Sequence, residues 1–239
     1  MRLFVESPLA LGENIEPKAG QTHYLLHVMR AKPGDALRVF NGRDGEWRAR
    51  IAKIDKRGCL LACETQTSPQ REVPDLWLCF APIKKTPADY VTQKAAELGV
   101  RVLQPVITRR TVVRRVNTER MRANAIEAAE QSGRLGVPEV RPPVDLAALL
   151  SSWPGERRIL FCDEAGEAPP IAEALRDATR GPWAVMTGPE GGFDPDERSR
   201  LRAMPGVAPV TLGKRILRAD TAALAALAVW QALAGDWRD

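Results

Sequence analysis

The sequence predicts a two-part α/β protein, in which a small β-rich module over residues 1–72 precedes a mostly parallel α/β domain over residues 73–239. Three observations predict it. Apolar and polar residues alternate through Leu37 and Val39, then Trp47, Ala49 and Ile51, the period-two mark of half-buried strands. From Leu76 onward, short apolar runs alternate with helix-length segments, and such alternation builds parallel sheets. Two backbone-rich segments, Gly188-Pro189-Glu190-Gly191-Gly192-Phe193 and Leu212-Gly213-Lys214-Arg215-Ile216-Leu217-Arg218-Ala219-Asp220-Thr221, each follow an apolar run and lead into a helix. That places both beyond the carboxyl ends of strands, where parallel α/β sheets hold their ligands.

In the first module, residues 23–29 read as a short helix, and Asn41-Gly42-Arg43-Asp44-Gly45 reads as a hairpin turn. Basic residues punctuate its strands, among them Arg30, Lys32, Arg38, Arg48, Arg50 and Lys53. A small basic β-module suits nucleic acid; the plainer alternative is a structural barrel with a solvated surface. The polar stretch 65–74, with Ser68-Pro69 and Val73-Pro74, is the expected linker. Residues 76–81 follow as a strand. Thr86 is expected to cap a helix with Pro87 at its start, running to Leu98 and stopped by Gly99. Residues 100–107 read as a strand and 118–132 as a helix ended by Gly133. Further strands are expected at 159–162, 183–187 and 207–212, helices near 171–178 and 195–204, and a final Ala-rich helix at 221–233.

The 239 residues suffice for one large domain or two modest ones. The net charge is +5, but its distribution says more: Arg101 to Arg122 holds seven arginines and one acid, Glu119. A charge run alone reads as a solvated face; arginine, with its planar fork, also suits phosphate and base stacking. Cys59, Cys63, Cys79 and Cys162 form no Cys-x-x-Cys pair. His23 and His27 have helical spacing, but no acid or Cys follows at ligand spacing, so no metal site is expected. The N-terminus carries no charged-then-apolar signal segment, and the longest apolar run, 222–230, is too short to span a bilayer. A reduced, cytoplasmic protein without membrane contact is expected.

Glycine-rich loops before helices often cradle phosphate. Here the helix start is already acidic, with Asp194 as N-cap, Pro195 at the first helical position and Glu197 completing a capping box. A phosphate would meet those carboxylates, and no Lys-Ser or Lys-Thr follows the glycines. A neutral or cationic ligand, held mainly by main-chain atoms, fits better than a nucleotide; the bland reading of the glycines is a tight turn.

Four segments together carry a family resemblance: Gln93 to Val100, Glu127 to Arg134, Gly188 to Gly192, and Leu212 to Thr221. They resemble SPOUT methyltransferases, specifically the RsmE type that methylates N3 of a uridine in 16S rRNA. Arg2-Leu3-Phe4-Val5 and residues 23–34 resemble that family's PUA-like RNA-binding domain. The resemblance implies a trefoil knot at the C-terminus, S-adenosyl-L-methionine bound within it, and a homodimer packed through the final helix. For the cofactor it implies Met186, Thr187, Gly188 and Glu190 from the first loop, and Leu212, Gly213, Ile216, Leu217 and Arg218 from the second. Two positions depart from the family: Asp220 stands where Glu is usual, and Met121 where an aromatic is expected.

Methyl transfer needs in-line approach more than acid catalysis, and positioning supplies on the order of 7–11 kcal/mol. Uracil N3 becomes nucleophilic once its proton leaves, and a cation near O2 or O4 favours the anion. Arg218 is the first candidate for that cation, with Arg134 and Arg109 behind it. Asp220 is either a general base or a cap of the final helix. Glu130 and Gln131 either orient the uracil or only pack beneath the knot. N3 lies on the Watson–Crick edge, so the target must be unpaired or flipped. Arg2, Arg30, Lys32, Arg109, Arg110, Arg114 and Arg115 are the expected contacts to 16S rRNA in the 30S subunit. The alternatives are a SPOUT enzyme with another target, such as a ribose 2′-hydroxyl of transfer RNA, or a non-catalytic ribosome-assembly factor.

Overall fold

The computed structural model describes residues 1–55, 58–164 and 167–238, with the side chains of Lys85, Thr86 and Pro87 outside that description. The chain divides into two compact units. One comprises residues 1–72 and 129–137, the other residues 73–128 and 138–239.

The first unit is built on β1 (Arg2–Phe4), β2 (Asn14–Ile15), β3 (Ala36–Phe40), β4 (Glu46–Asp55) and β5 (Gly58–Ser68). They form one sheet in the order β1-β3-β4-β5-β2, parallel only between β1 and β3. The alternation seen in the sequence becomes its core: Leu37, Val39, Ala49 and Ile51 pack with Leu3, Ile15, Leu25 and Leu61. Asn41 closes the β3–β4 turn, its Oδ1 accepting from the backbone N–H of Arg43 and Asp44 at 3.0 and 2.9 Å. Two expectations need correction. The helix starts earlier, as α1 (Ala19–His23), and continues as a π-helical turn over Tyr24–Val28, closed by Met29 N–H donating to the Tyr24 carbonyl. The expected linker begins inside a strand, because β5 runs through Ser68, pairing with Glu46 on β4.

The second unit contains β6 (Leu76–Phe80), α2 (Lys85–Glu97), β7 (Val102–Ile107), α3 (Thr118–Ser132), β8 (Glu139–Val140), β9 (Val144–Asp145), α4 (Leu146–Ser151), β10 (Arg158–Cys162), α5 (Ile171–Ala174), β11 (Trp183–Thr187), α6 (Pro195–Ala203), β12 (Val207–Val210) and α7 (Ala219–Leu233), the end of α3 excepted. Its strands are all parallel, in the order β12-β10-β11-β6-β7-β8, with β9 also pairing with β7, beyond β8. Period two explains the two-sided core. On β6, Leu76, Leu78 and Phe80 join Val91, Ala95, Ala223, Leu227 and Trp230 on one face, while Trp77 and Cys79 join Leu146, Leu150 and Leu201 on the other. Parallel strands buried on both faces read as continuous apolar runs, as these do. The N-cap of α2 is Lys84, not Thr86. Asp220 does not cap α7: Arg218 holds the N-cap position, and Asp220 sits in the first turn.

Candidate functional site

The site forms where β11 and β12 end. After Thr187 the chain turns sharply, with Gly192 N–H donating to the Pro189 carbonyl at 2.9 Å. Gly188 has no room for a side chain, since a Cβ there would stand 2.8 Å from the Phe193 ring. That ring is fixed edge-on against Phe161, centroids 5.1 Å apart. Gly192 adopts φ +68°, and a Cβ would overlap the Glu164 carboxylate. The helix that follows begins as its sequence requires: Asp194 accepts from Asp196 N–H at 3.1 Å, and Glu197 accepts from Asp194 N–H at 3.3 Å.

Between this loop and the segment entering α7 lies a cavity of about 600 Å³, within the range of small-molecule sites. Seven of the expected residues line it: Thr187, Gly188, Glu190, Ile216, Leu217, Arg218 and Asp220. Four do not. The Met186 side chain is core, 1% exposed and packed among Phe161, Ala184 and Leu201. Leu212 is half-buried against the core on the α7 side of the sheet. Gly213, at φ +104°, faces open space. Arg134 belongs to the first unit, where its Nε donates to the Gly136 carbonyl at 2.5 Å.

The cavity also contains residues that motif reasoning missed: Ile83, Lys84, Cys162 and Glu164. Burial pushes the Cys162 thiol up to about 12, so it stays protonated. Burial and then the adjacent Asp163 carboxylate raise Glu164 above the usual carboxyl range, with Arg110 and Arg198 opposing. Asp163 itself is 3% exposed and held by Arg198 and Arg202 of α6 at 2.7 and 2.6 Å. Burial opposes its ionisation, but those two partners outweigh it and leave its pKa lowered. The Asp220 Oδ1 accepts from Thr221 N–H at 2.8 Å. Arg218 is exposed and makes no ion pair among the described residues.

The expected RNA contacts divide. Arg2 is a clamp inside the first unit. It donates to Glu46 at 2.6 Å and to the carbonyls of Ala129, Glu130 and Arg134 at 2.7, 3.2 and 2.9 Å, with its guanidinium 4.3 Å from the Phe40 ring centre. Four of its five N–H donors are engaged and its side chain is 12% exposed, which favours a clamp over a phosphate contact. Glu130 is likewise tied down, accepting from Phe4 N–H at 2.9 Å. Arg109 pairs with Asp194 and Asp196 at 2.6 and 2.7 Å, which neutralises its charge locally. Arg110 donates to the Gly191 carbonyl at 2.9 Å and so braces the cavity loop. Arg30, Lys32, Arg114 and Arg115 are exposed, with no ion pair among the described residues. The His23 and His27 rings lie 4.7 Å apart, but among the described residues no three His, Cys, Asp or Glu are grouped to hold a metal ion.

Residues 70–231 match the model of an RNA methyltransferase domain, and residues 18–62 that of an RNA methyltransferase PUA domain. A ribosomal RNA small subunit methyltransferase E from Rickettsia conorii is 33% identical, across 95% of this chain and 93% of its own length. The chain belongs to the ribosomal RNA small subunit methyltransferase E family. Its two units are thus a PUA-like domain and a SPOUT methyltransferase domain. The Synechocystis member is 34% identical, across 97% of this chain and 77% of its own length. The Neisseria gonorrhoeae member, solved bound to S-adenosyl methionine, superposes with a TM-score of 0.89 at 31% identity, across 99% of this chain and 98% of its own. A putative methyltransferase from Legionella pneumophila, also solved with the cofactor, gives 0.86 at 31% identity, across 98% of each chain.

Proposed function

We propose that this chain transfers a methyl group from S-adenosyl-L-methionine to N3 of a single uridine in the decoding region of 16S rRNA within the 30S subunit. The observation that carries the reading is the cavity itself. Its wall is glycine-rich loop backbone and its lining includes the carboxylates of Glu190 and Asp220, which suit a cationic ligand without phosphates. The cofactor fits this donor set. Thr187, Gly188 and the backbone of 216–218 hold it, and when bound it supplies an electrophilic methyl group. Exposed Arg218 beside the cavity polarises a uracil carbonyl and favours the N3 anion. Arg30 and Lys32 on the first unit, and Arg114 and Arg115 on the second, provide phosphate contacts to the RNA, whose target base is flipped out.

A trefoil knot belongs to the same proposal. It is supported by the path after β11: β12 lies on the far side of β10, yet the following α7 packs on α2 and β11. A homodimer belongs to it too, with Ile216, 89% exposed at the cavity rim, suited to being covered on assembly. Among the described residues no helix is long and apolar enough to cross a membrane, in keeping with a cytoplasmic site of action.

The test is methylation of small subunits from a strain lacking this protein, using labelled cofactor and mass spectrometry of the nucleoside. N3-methyluridine at one decoding-region position is the expected product. Incorporation at another atom or position discards the target, and absence of incorporation with intact cofactor binding moves an assembly factor to first place.

A further inference from the structure

We propose that Glu164 is the catalytic base that accepts the N3 proton of the target uridine. This rests on the uracil-N3 reading above. Three features of the cavity carry it. The Glu164 carboxylate lines the cavity and is packed against Gly192, whose missing side chain leaves the space the carboxylate fills. It makes no hydrogen bond among the described residues, so its oxygens are free to accept a proton. Glu164 is also solvent-exposed, which gives the captured proton an exit.

The other groups in the cavity are less suited. Asp220 accepts Thr221 N–H in the first turn of α7, so one of its carboxylate oxygens is already engaged. Cys162 is a buried, protonated thiol. Lys84 and Arg218 are cations. Around Glu164 itself, Asp163 lies beside it in the chain, Arg110 reaches in from the 108–117 segment and Arg198 from α6. Burial together with Asp163 outweighs the two arginines, so its pKa lies above the usual carboxyl value.

The step balances simply. The N3–H proton passes to a Glu164 carboxylate oxygen, and the N3 electron pair forms the N3–CH₃ bond. The pair of the broken S–CH₃ bond stays on sulfur, and Glu164 then loses its proton to water.

The experiment is single-turnover methyl transfer to unmodified small subunits at saturating cofactor, measured across pH with the full chain. General-base catalysis contributes about 10²–10⁴-fold, so Glu164→Gln should lose about a hundredfold or more at neutral pH. It should also lose the acid-side ionisation seen in the wild type. Cofactor affinity by calorimetry should be unchanged. Independently of activity, a glutamate carboxyl ¹³C signal titrating above the ordinary value of about 4.3 should be present in the wild type and missing from the variant. A wild-type pH profile in Glu164→Gln overturns the proposal. So does a rate loss fully matched by lost cofactor affinity, which would make Glu164 a counter-charge for the cationic ligand. So does loss of the ionisation in Asp220→Asn instead. A wild type that transfers no methyl group to these subunits sinks the uracil reading and the proposal with it, whereas the other outcomes sink the proposal alone.

Discussion

Replacing Arg2 with Met decides between a phosphate contact and a structural clamp. Met keeps an apolar stem against Phe40 and removes the guanidinium. Glu46 is then left 7% exposed without its main partner. Removing one member of a buried ion pair costs about 3–5 kcal/mol. Thr67 Oγ1 still donates to Glu46 at 2.9 Å and Arg38 lies at 3.4 Å, which places the expected cost near the lower end, about 3 kcal/mol. For a unit of this size that corresponds to a fall of about 12–24 °C in melting temperature. Urea-dependent hydrogen exchange over β3 and β4 measures it locally. The effect has a definite pH sign. Burial opposes ionisation of Glu46, but hydrogen bonds from Arg2 and Thr67 and the charges of Arg2 and Arg38 outweigh it, so its folded pKa lies below the usual range. A depressed carboxyl contributes fully above its unfolded pKa of about 4.3, and that contribution is lost as pH falls through the folded value. The gap between wild type and variant should therefore narrow below about pH 4. A variant with unchanged protection and weakened RNA affinity would refute the clamp.

Substituting Arg114 and Arg115 with Ala should weaken binding to small subunits and flatten the slope of log affinity against log salt by about 0.7–0.9 for each phosphate no longer neutralised; Arg109→Ala, whose charge is already paired, should leave the slope unchanged. Gly192→Ala forces a side chain into a left-handed conformation at a cost of about 1–2 kcal/mol and displaces the Glu164 carboxylate, so single-turnover methyl transfer should slow alongside a lower melting temperature. Asp163→Asn should lower the Glu164 titration followed by ¹³C, because Asp163 is one cause of its rise, and should remove stability that the wild type holds above the unfolded carboxyl pKa and loses as pH falls through the depressed Asp163 value.

What is legible in the sequence is local. Asp194, Pro195 and Glu197 announce a helix start because a capping box is satisfied within four residues. The strands at 76–80 and 183–187 are legible because burial on both faces demands unbroken apolar runs. A further local signal marks α4, which the strand–helix alternation does not predict: Leu146, Leu149 and Leu150 stand at i, i+3 and i+4 and form its buried face. The expected linker takes in the end of β5 because the last residues of that strand are polar and mostly exposed. Composition there resembles a linker although the backbone still pairs.

The charged residues show where such reading stops. Arg2 and Arg109 look alike in sequence to Arg114 and Arg115, yet the first pair finds carboxylates and carbonyls far along the chain, and the second pair stays exposed. A charge count treats all four as surface, because it contains no term for the partner that the fold brings. Glu164 is the same problem with the sign reversed. No motif marks it: besides its chain neighbour Asp163, its surroundings come from Gly192 in a distant loop and from α6, which holds the Asp163 charge. A carboxylate becomes a base when the fold leaves its oxygens without a donor and opens them to a substrate. That condition belongs to three segments meeting at one cavity, so it can be read only after they have met.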